Sequence, residues 1–160
     1  MAACCPRLIT TAAERLLGFR LAAVAQPSHD AAEIRSWFDD YLRAFAACGR
    51  GDSDDVRTLL EYYGVPLFFT TDDGAVALTS EDEVLGAARK QVEGLRAADY
   101  DRSELLDDET TVLNATAAIH TAAFSRLRGD GSEIGRLRAT YFITDGREGR
   151  RISAVAVRAL

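Results

Sequence analysis

VLNATAAIHTAAFSRLRGDGSEIGRLRATYFITDGREGRRISAVAV, residues 112–157, is the stretch that decides the fold of this chain. Its apolar positions recur every second residue, a period that belongs to strands and not to helices. Glycine and aspartate interrupt it at Gly129-Asp130-Gly131 and again from Asp145-Gly146 to Gly149, where tight turns are expected. The period of two begins upstream, at Asp99. Strands are therefore predicted at about 100–107, 112–127, 133–144 and 150–158. Strands of this length joined by tight turns form one curved antiparallel meander.

Before Asp99 the pattern is different. Asp30-Ala-Ala-Glu33 resembles a capping box with an aspartate cap, and Ile34, Trp37, Phe38, Tyr41, Leu42 and Phe45 then recur at steps of three and four. That predicts a helix of about four turns, stopped by Gly49-Arg-Gly51. Asp52 or Ser53 can cap a shorter helix carrying Val56, Leu59, Leu60 and Tyr63, with Gly64 ending it. Val65–Thr71 and Ala75–Thr79 flank Asp72-Asp-Gly74 as a hairpin, with Pro66 expected at the start or edge of its strand. Ser80-Glu-Asp-Glu83 is a capping box for a third helix with Val84, Ala88, Val92 and Leu95 on one face, weakened near Gly94.

Composition bounds the class. The chain has 160 residues, 48% of them apolar, which suits one folded domain and excludes a disordered chain. A net charge of −6 and the lack of a basic cluster exclude nucleic acid as the expected partner. No apolar run is long enough to span a membrane. Residues 1–28 hold one acid, Glu14, and that residue with Arg15 and Arg20 breaks up any signal-like stretch. They are expected to be a flexible N-terminal extension, with the folded domain over 29–160. Cys4, Cys5 and Cys48 show neither zinc spacing nor a pairing scheme and are expected as reduced thiols in a cytoplasmic protein.

A sheet covered by helices on one face is an α+β architecture. Three helices cannot cover so long a sheet if it is flat, so it must curl into a cone around a hollow. In this order, the aromatic helix Trp37…Tyr41…Phe45, the break at Gly51-Asp52, the hairpin, the helix 81–95 and the strands with Arg126…Asp130-Gly131, Tyr141-Phe-Ile-Thr144 and Gly149-Arg-Arg-Ile152 resemble the nuclear transport factor 2-like, or SnoaL-like, superfamily. Tyr62-Tyr-Gly-Val-Pro-Leu67 and Leu95-Arg-Ala…Tyr100 are similar to an uncharacterised bacterial family within it. The resemblance covers about residues 30–158 and implies a cystatin-like roll. It also implies a homodimer paired through the outer sheet face. Superfamily members include isomerases, cyclases, dehydratases, hydrolases and binding modules, so it speaks to fold more than to function.

Isomerase-like members carry a carboxylate base on the first hairpin strand. Here that strand, Val65-Pro-Leu-Phe-Phe69, has no acid or histidine. Tyr41 is a candidate donor in the hollow, or a core tyrosine with its hydroxyl at the surface. His120 shares a period-two face with Thr116, Ala118, Ala122 and Phe124; that face lines the hollow or else lies outside, at a dimer surface or in solvent. Arg138 and Tyr141 point to opposite faces, and Arg138 is a carboxylate anchor or a solvated residue. Asp39 and Asp40 diverge on their helix, with Arg35 and Arg43 four residues from Asp39. Asp107-Asp-Glu109 reads as a solvated loop between strands. Asn114-Ala-Thr116 fits a glycosylation acceptor that a cytoplasmic chain would not use. No phosphate loop, dinucleotide fingerprint or nucleophile elbow is present, and neither cofactor nor metal is expected.

Three functions follow. The first is a domain binding a small apolar molecule without strong catalytic machinery, as sensor, carrier or accessory subunit, lined by Trp37, Tyr41, Phe69, His120 and Tyr141. The second is an isomerase- or dehydratase-type enzyme using His120 as base with Tyr41 as partner. The third is a dimerisation module. The missing hairpin acid leans the reading away from an enzyme.

Overall fold

A computed structural model describes residues 30–160; the extension expected over 1–28, Cys4 and Cys5 included, lies outside the described residues. Helix α1 spans Ala31–Arg50. The Asp30 carboxylate accepts from the Ala32 amide at 3.0 Å, which satisfies one free donor of the first turn. Ile34, Phe38, Tyr41, Phe45 and Cys48 form its buried stripe, as the spacing predicts, with Trp37 and Leu42 on the flank. Gly51 ends it at φ 84, a left-handed conformation that glycine adopts without a Cβ clash. Gly49 is needed for another reason: a Cβ there would stand 2.9 Å from the Tyr100 ring.

The second helix is a 3-10 helix, Val56–Glu61, capped by Asp55 and not by Asp52 or Ser53. Its buried residues Val56 and Leu59 lie three apart, the spacing at which 3-10 side chains eclipse. Gly64 does not end it but belongs to strand β1, Tyr63–Thr71, which pairs as a hairpin with β2, Gly74–Leu78. Helix α2, Glu81–Ala97, carries the reciprocal Ser80–Glu83 capping box and runs through Gly94.

Strands β3 (Tyr100–Asn114), β4 (Ala117–Arg128), β5 (Glu133–Gly146) and β6 (Gly149–Ala159) form the meander. The predicted break near residue 108 is absent, and β3 continues to Asn114. The turn falls instead at Ala115-Thr116, where the Asn114 side-chain carbonyl accepts from the Thr116 amide at 2.9 Å and from its hydroxyl at 3.1 Å. The stretch that fits a glycosylation acceptor is thus an asparagine-driven turn. Asp107-Asp-Glu109 lies within β3 and not in a loop; Asp108 accepts from Arg35 Nε at 3.0 Å. Arg43 pairs with Asp40 and not with Asp39.

The sheet order is β2-β1-β6-β5-β4-β3, with every pair antiparallel except β1–β6, which is parallel. Pro66 sits inside the sheet, yet in the stretch between Tyr63 and Phe68 where the β1–β6 register shifts and before pairing with β2 begins at Leu67. Its missing N–H therefore interrupts no ladder. Register shifts also occur in β3–β4, β4–β5 and β5–β6, and such bulges bend the strands into a cone. The chain has the expected α+β cystatin-like architecture, with the helices on the concave face. No helix among the described residues is long and apolar enough to cross a membrane.

Arg96 joins the two helices. Its Nε donates to Cys48 O at 2.9 Å, Nη2 to Ser53 O at 2.8 Å, and Nη1 meets Asp54 at 3.0 Å. We expect Arg96→Ala to cost roughly 1–2 kcal/mol, with Arg96→Lys recovering only part because an ammonium cannot reproduce the guanidinium fork. Urea denaturation of the three proteins measures both.

Candidate ligand-binding site

The concave face is built by the inward residues of each strand. In β4 these are Ala118, His120, Ala122 and Phe124, all buried, so the face that holds His120 is the inner one. His120 stands behind the Phe38 ring, at 4.1 Å between ring centroids, and its Nδ1 shares a 2.8 Å hydrogen bond with the Thr110 hydroxyl. Phe38 also packs edge-on against Tyr141 at 4.7 Å. Burial lowers the His120 pKa below its usual 6.5; Asp108 and Asp39 oppose that shift and Arg35 adds to it.

Toward the wide end of the cone, the Tyr41 and Tyr63 hydroxyls are hydrogen-bonded at 2.8 Å, and the Tyr141 ring lies 6.0 Å from that of Tyr41. Burial pushes all three phenols up, Tyr63 to about 12, so they are neutral hydroxyls at physiological pH. The three border a recess of about 40 Å³, together with Phe69, Gln91, Ser103, Phe124 and Arg126. This is far less internal space than a hollow cone implies, because the aromatic rings of α1 fill the narrow end. The larger space lies at the mouth, a groove of about 390 Å³ between the β1–β2 hairpin and α2. Leu67, Leu78, Val84, Ala87 and Ala88 give it an apolar wall, Lys90 is its one charged residue, and Tyr63, Phe69 and Gln91 belong to groove and recess alike. A groove of about 640 Å³ on the other side of β1, past Pro66 and Phe68, is lined by charges of both signs and does not join the recess residues except at Tyr63.

The structure therefore places Tyr41, Phe69 and Tyr141 on the cavity. Trp37 is set apart, its ring against Tyr62 at 5.5 Å. His120 and Tyr41 both pack on Phe38, but their polar atoms are bonded elsewhere, to Thr110 and Tyr63. Arg138 faces outward, 3.6 Å from Asp107. Among the polar cavity residues, Tyr63, Gln91, Ser103 and Arg126 escaped the sequence reading. Arg126 was visible in principle, since it continues the same alternate-residue face as His120 and Phe124. No group of three or more His, Cys, Asp or Glu side chains among the described residues could hold a metal ion.

Because His120 has a lowered pKa in the fold, the unfolded chain binds its proton more readily. The stabilising contribution is complete above about pH 6.5 and falls as pH drops through and below that value. We expect unfolding free energy to decline between pH 7.5 and 5.5, and His120→Gln to flatten that decline; chemical denaturation at several pH values checks it.

Comparison with known proteins agrees with this fold. The family described as NTF2-like protein (DUF6841) matches residues 32–160. An NTF2-like protein with a cystatin-like fold from Novosphingobium aromaticivorans superposes with a TM-score of 0.63 at 14% identity, covering 82% of each chain. A cystatin-like domain of unknown function from Nostoc punctiforme gives 0.62 at 17%, covering 84% of this chain and 79% of that one. A ketosteroid isomerase-like protein from Erwinia carotovora atroseptica gives 0.57 at 14%, covering 81% and 95%. At these identities the likeness is one of fold. No curated protein matches the chain.

Proposed function

Since the chain belongs to the NTF2-like family DUF6841, whose fold often binds small molecules, we propose that it is a small-molecule-binding domain, a sensor, carrier or accessory subunit, with its ligand in the groove between the hairpin and α2. The observation that carries this reading is the apolar groove of about 390 Å³, within the roughly 300–1,000 Å³ usual for ligand sites, continuing into a recess edged by hydroxyls. An isomerase- or dehydratase-type reaction would need Tyr41 and His120 on one ligand atom. With Phe38 packed against both and each bonded to a different partner, their arrangement favours binding over acid–base chemistry.

We further propose that two copies pair through the outer sheet face, in a cytoplasmic setting. An apolar row crosses that face in register, Ala77, Phe68, Ala154, Phe142 and Ile119, and Phe68 is 55% exposed. Arg138 faces the same side with its Nε buried and unpaired. Unpaired buried donors and exposed aromatic rows are both costs that a partner surface relieves.

A neutral fluorophore such as N-phenyl-1-naphthylamine is expected to bind saturably at one site per chain. Ala87→Trp, which fills the groove from an exposed helix position, should weaken that binding at least tenfold with the thermal midpoint nearly unchanged; fluorescence titration reads the first and calorimetry the second. Sedimentation equilibrium should give a dimer for the parent chain and a monomer for Phe68→Glu/Phe142→Glu.

A further inference from the structure

Arg126 is a charge placed where a ligand-binding cone would put its recognition group. It lies on the inner face of β4, in the wall of the recess, and no acidic residue borders that recess. Its neighbours across the sheet are Ser103 on β3 and Gly135 on β5. The first is uncharged, and the second has no side chain and open space where a Cβ would be. The guanidinium makes no hydrogen bond or ion pair with any described residue. Several other arginines of this protein are paired: Arg35 with Asp108, Arg96 with Asp54, Arg136 with Glu133 and Arg150 with Asp145. A half-buried cation without a counter-charge is unfavourable unless water or an anion completes it.

The hydroxyls of Tyr41, Tyr63 and Tyr141 surround the same recess, and the Arg126 charge is felt at all three, drawing their pKa values down against burial. The recess is sized for a head group and not for a whole ligand: about 40 Å³ compares with the ~30 Å³ share of one water in the liquid. Two grooves share several residues with the recess, and the apolar body suits the one between the hairpin and α2, since the other is lined by Arg43, Arg50 and Arg102.

We propose that the recess is an anion subsite in which Arg126, with the Tyr141 hydroxyl and the one free hydroxyl proton of the Tyr41–Tyr63 pair as further donors, binds the carboxylate of an amphipathic small molecule whose apolar part fills the groove. Arginine suits this task because its planar fork matches the two oxygens of a carboxylate. The inference rests on the groove being the ligand site and narrows the ligand class to apolar acids.

The test compares 2-naphthylacetate with 2-naphthylacetamide, near-isosteres of which only the first is charged, by titration calorimetry on the parent chain, Arg126→Gln and Arg126→Lys. The parent is expected to prefer the acetate by at least ~10-fold, the range of a hydrogen bond to a charged group. Arg126→Gln should lose that preference and keep the acetamide affinity, which also reports that the variant is folded; Arg126→Lys should keep part of it. Equal binding of both probes to the parent, or equal loss of both in Arg126→Gln, overturns the anion subsite and leaves the groove reading standing. If neither probe binds the parent, both readings fall.

Discussion

The contact on which this fold depends is the seating of one helix in the hollow of a bent sheet. Phe38 enters between His120 and Tyr141, and the sheet residues beside them on the inner face of β4 are alanines, Ala118 and Ala122, both fully buried. Small residues on the strand let the helix come close, and large ones on the helix fill the space so left. Neither half works alone. A flat sheet would hold the helix away from its edges, and a helix with smaller residues would leave voids under the curve. The bulges in β3, β5 and β6 supply the bend that makes the two surfaces match.

The same packing decides where a ligand can go. Aromatic side chains of α1 close the narrow end of the cone, and His120 is sealed there as a neutral, hydrogen-bonded core residue. At the wide end, α2 and the hairpin diverge, and the apolar groove opens between them. Polar groups of the interior thus divide into two sets: a histidine already satisfied behind Phe38, and tyrosines with Gln91, Ser103 and one arginine bordering usable space. Chemistry by an acid–base pair needs the sets joined, while recognition needs only the second.

Much of this was legible in the sequence where a local signal decided the outcome. The α1 stripe, the Asp72–Gly74 hairpin turn and the Ser80–Glu83 capping box each depend on residues within one turn of one another, and each stands in the structure. The errors arose where local signals were weak or double. Asn114-Ala-Thr116 holds no glycine, so its turn went unmarked while three acids nearby suggested a loop. The face of His120 was undecidable because both faces of β4 carry alanine, Ala118 and Ala122 inside and Ala117 and Ala123 outside. That Arg126 has no partner among the described residues is a property of neighbours on two other strands, and no reading of β4 alone contains it.

The parallel seam between β1 and β6 has a consequence for how the molecule is made. Strand β1 leaves the ribosome early, but the edge it must join does not exist until β2, β3, β4 and β5 have been produced and β6 follows. Until then the hairpin presents a strand with unsatisfied backbone groups and the exposed ring of Phe68. Synthesis of this chain therefore passes through a stage at which its earliest β-structure is sticky and incomplete, and a high share of long-range pairing makes the closing step slow. Pro66, in the stretch of that edge between the paired Tyr63 and Phe68, offers no amide to a stray strand.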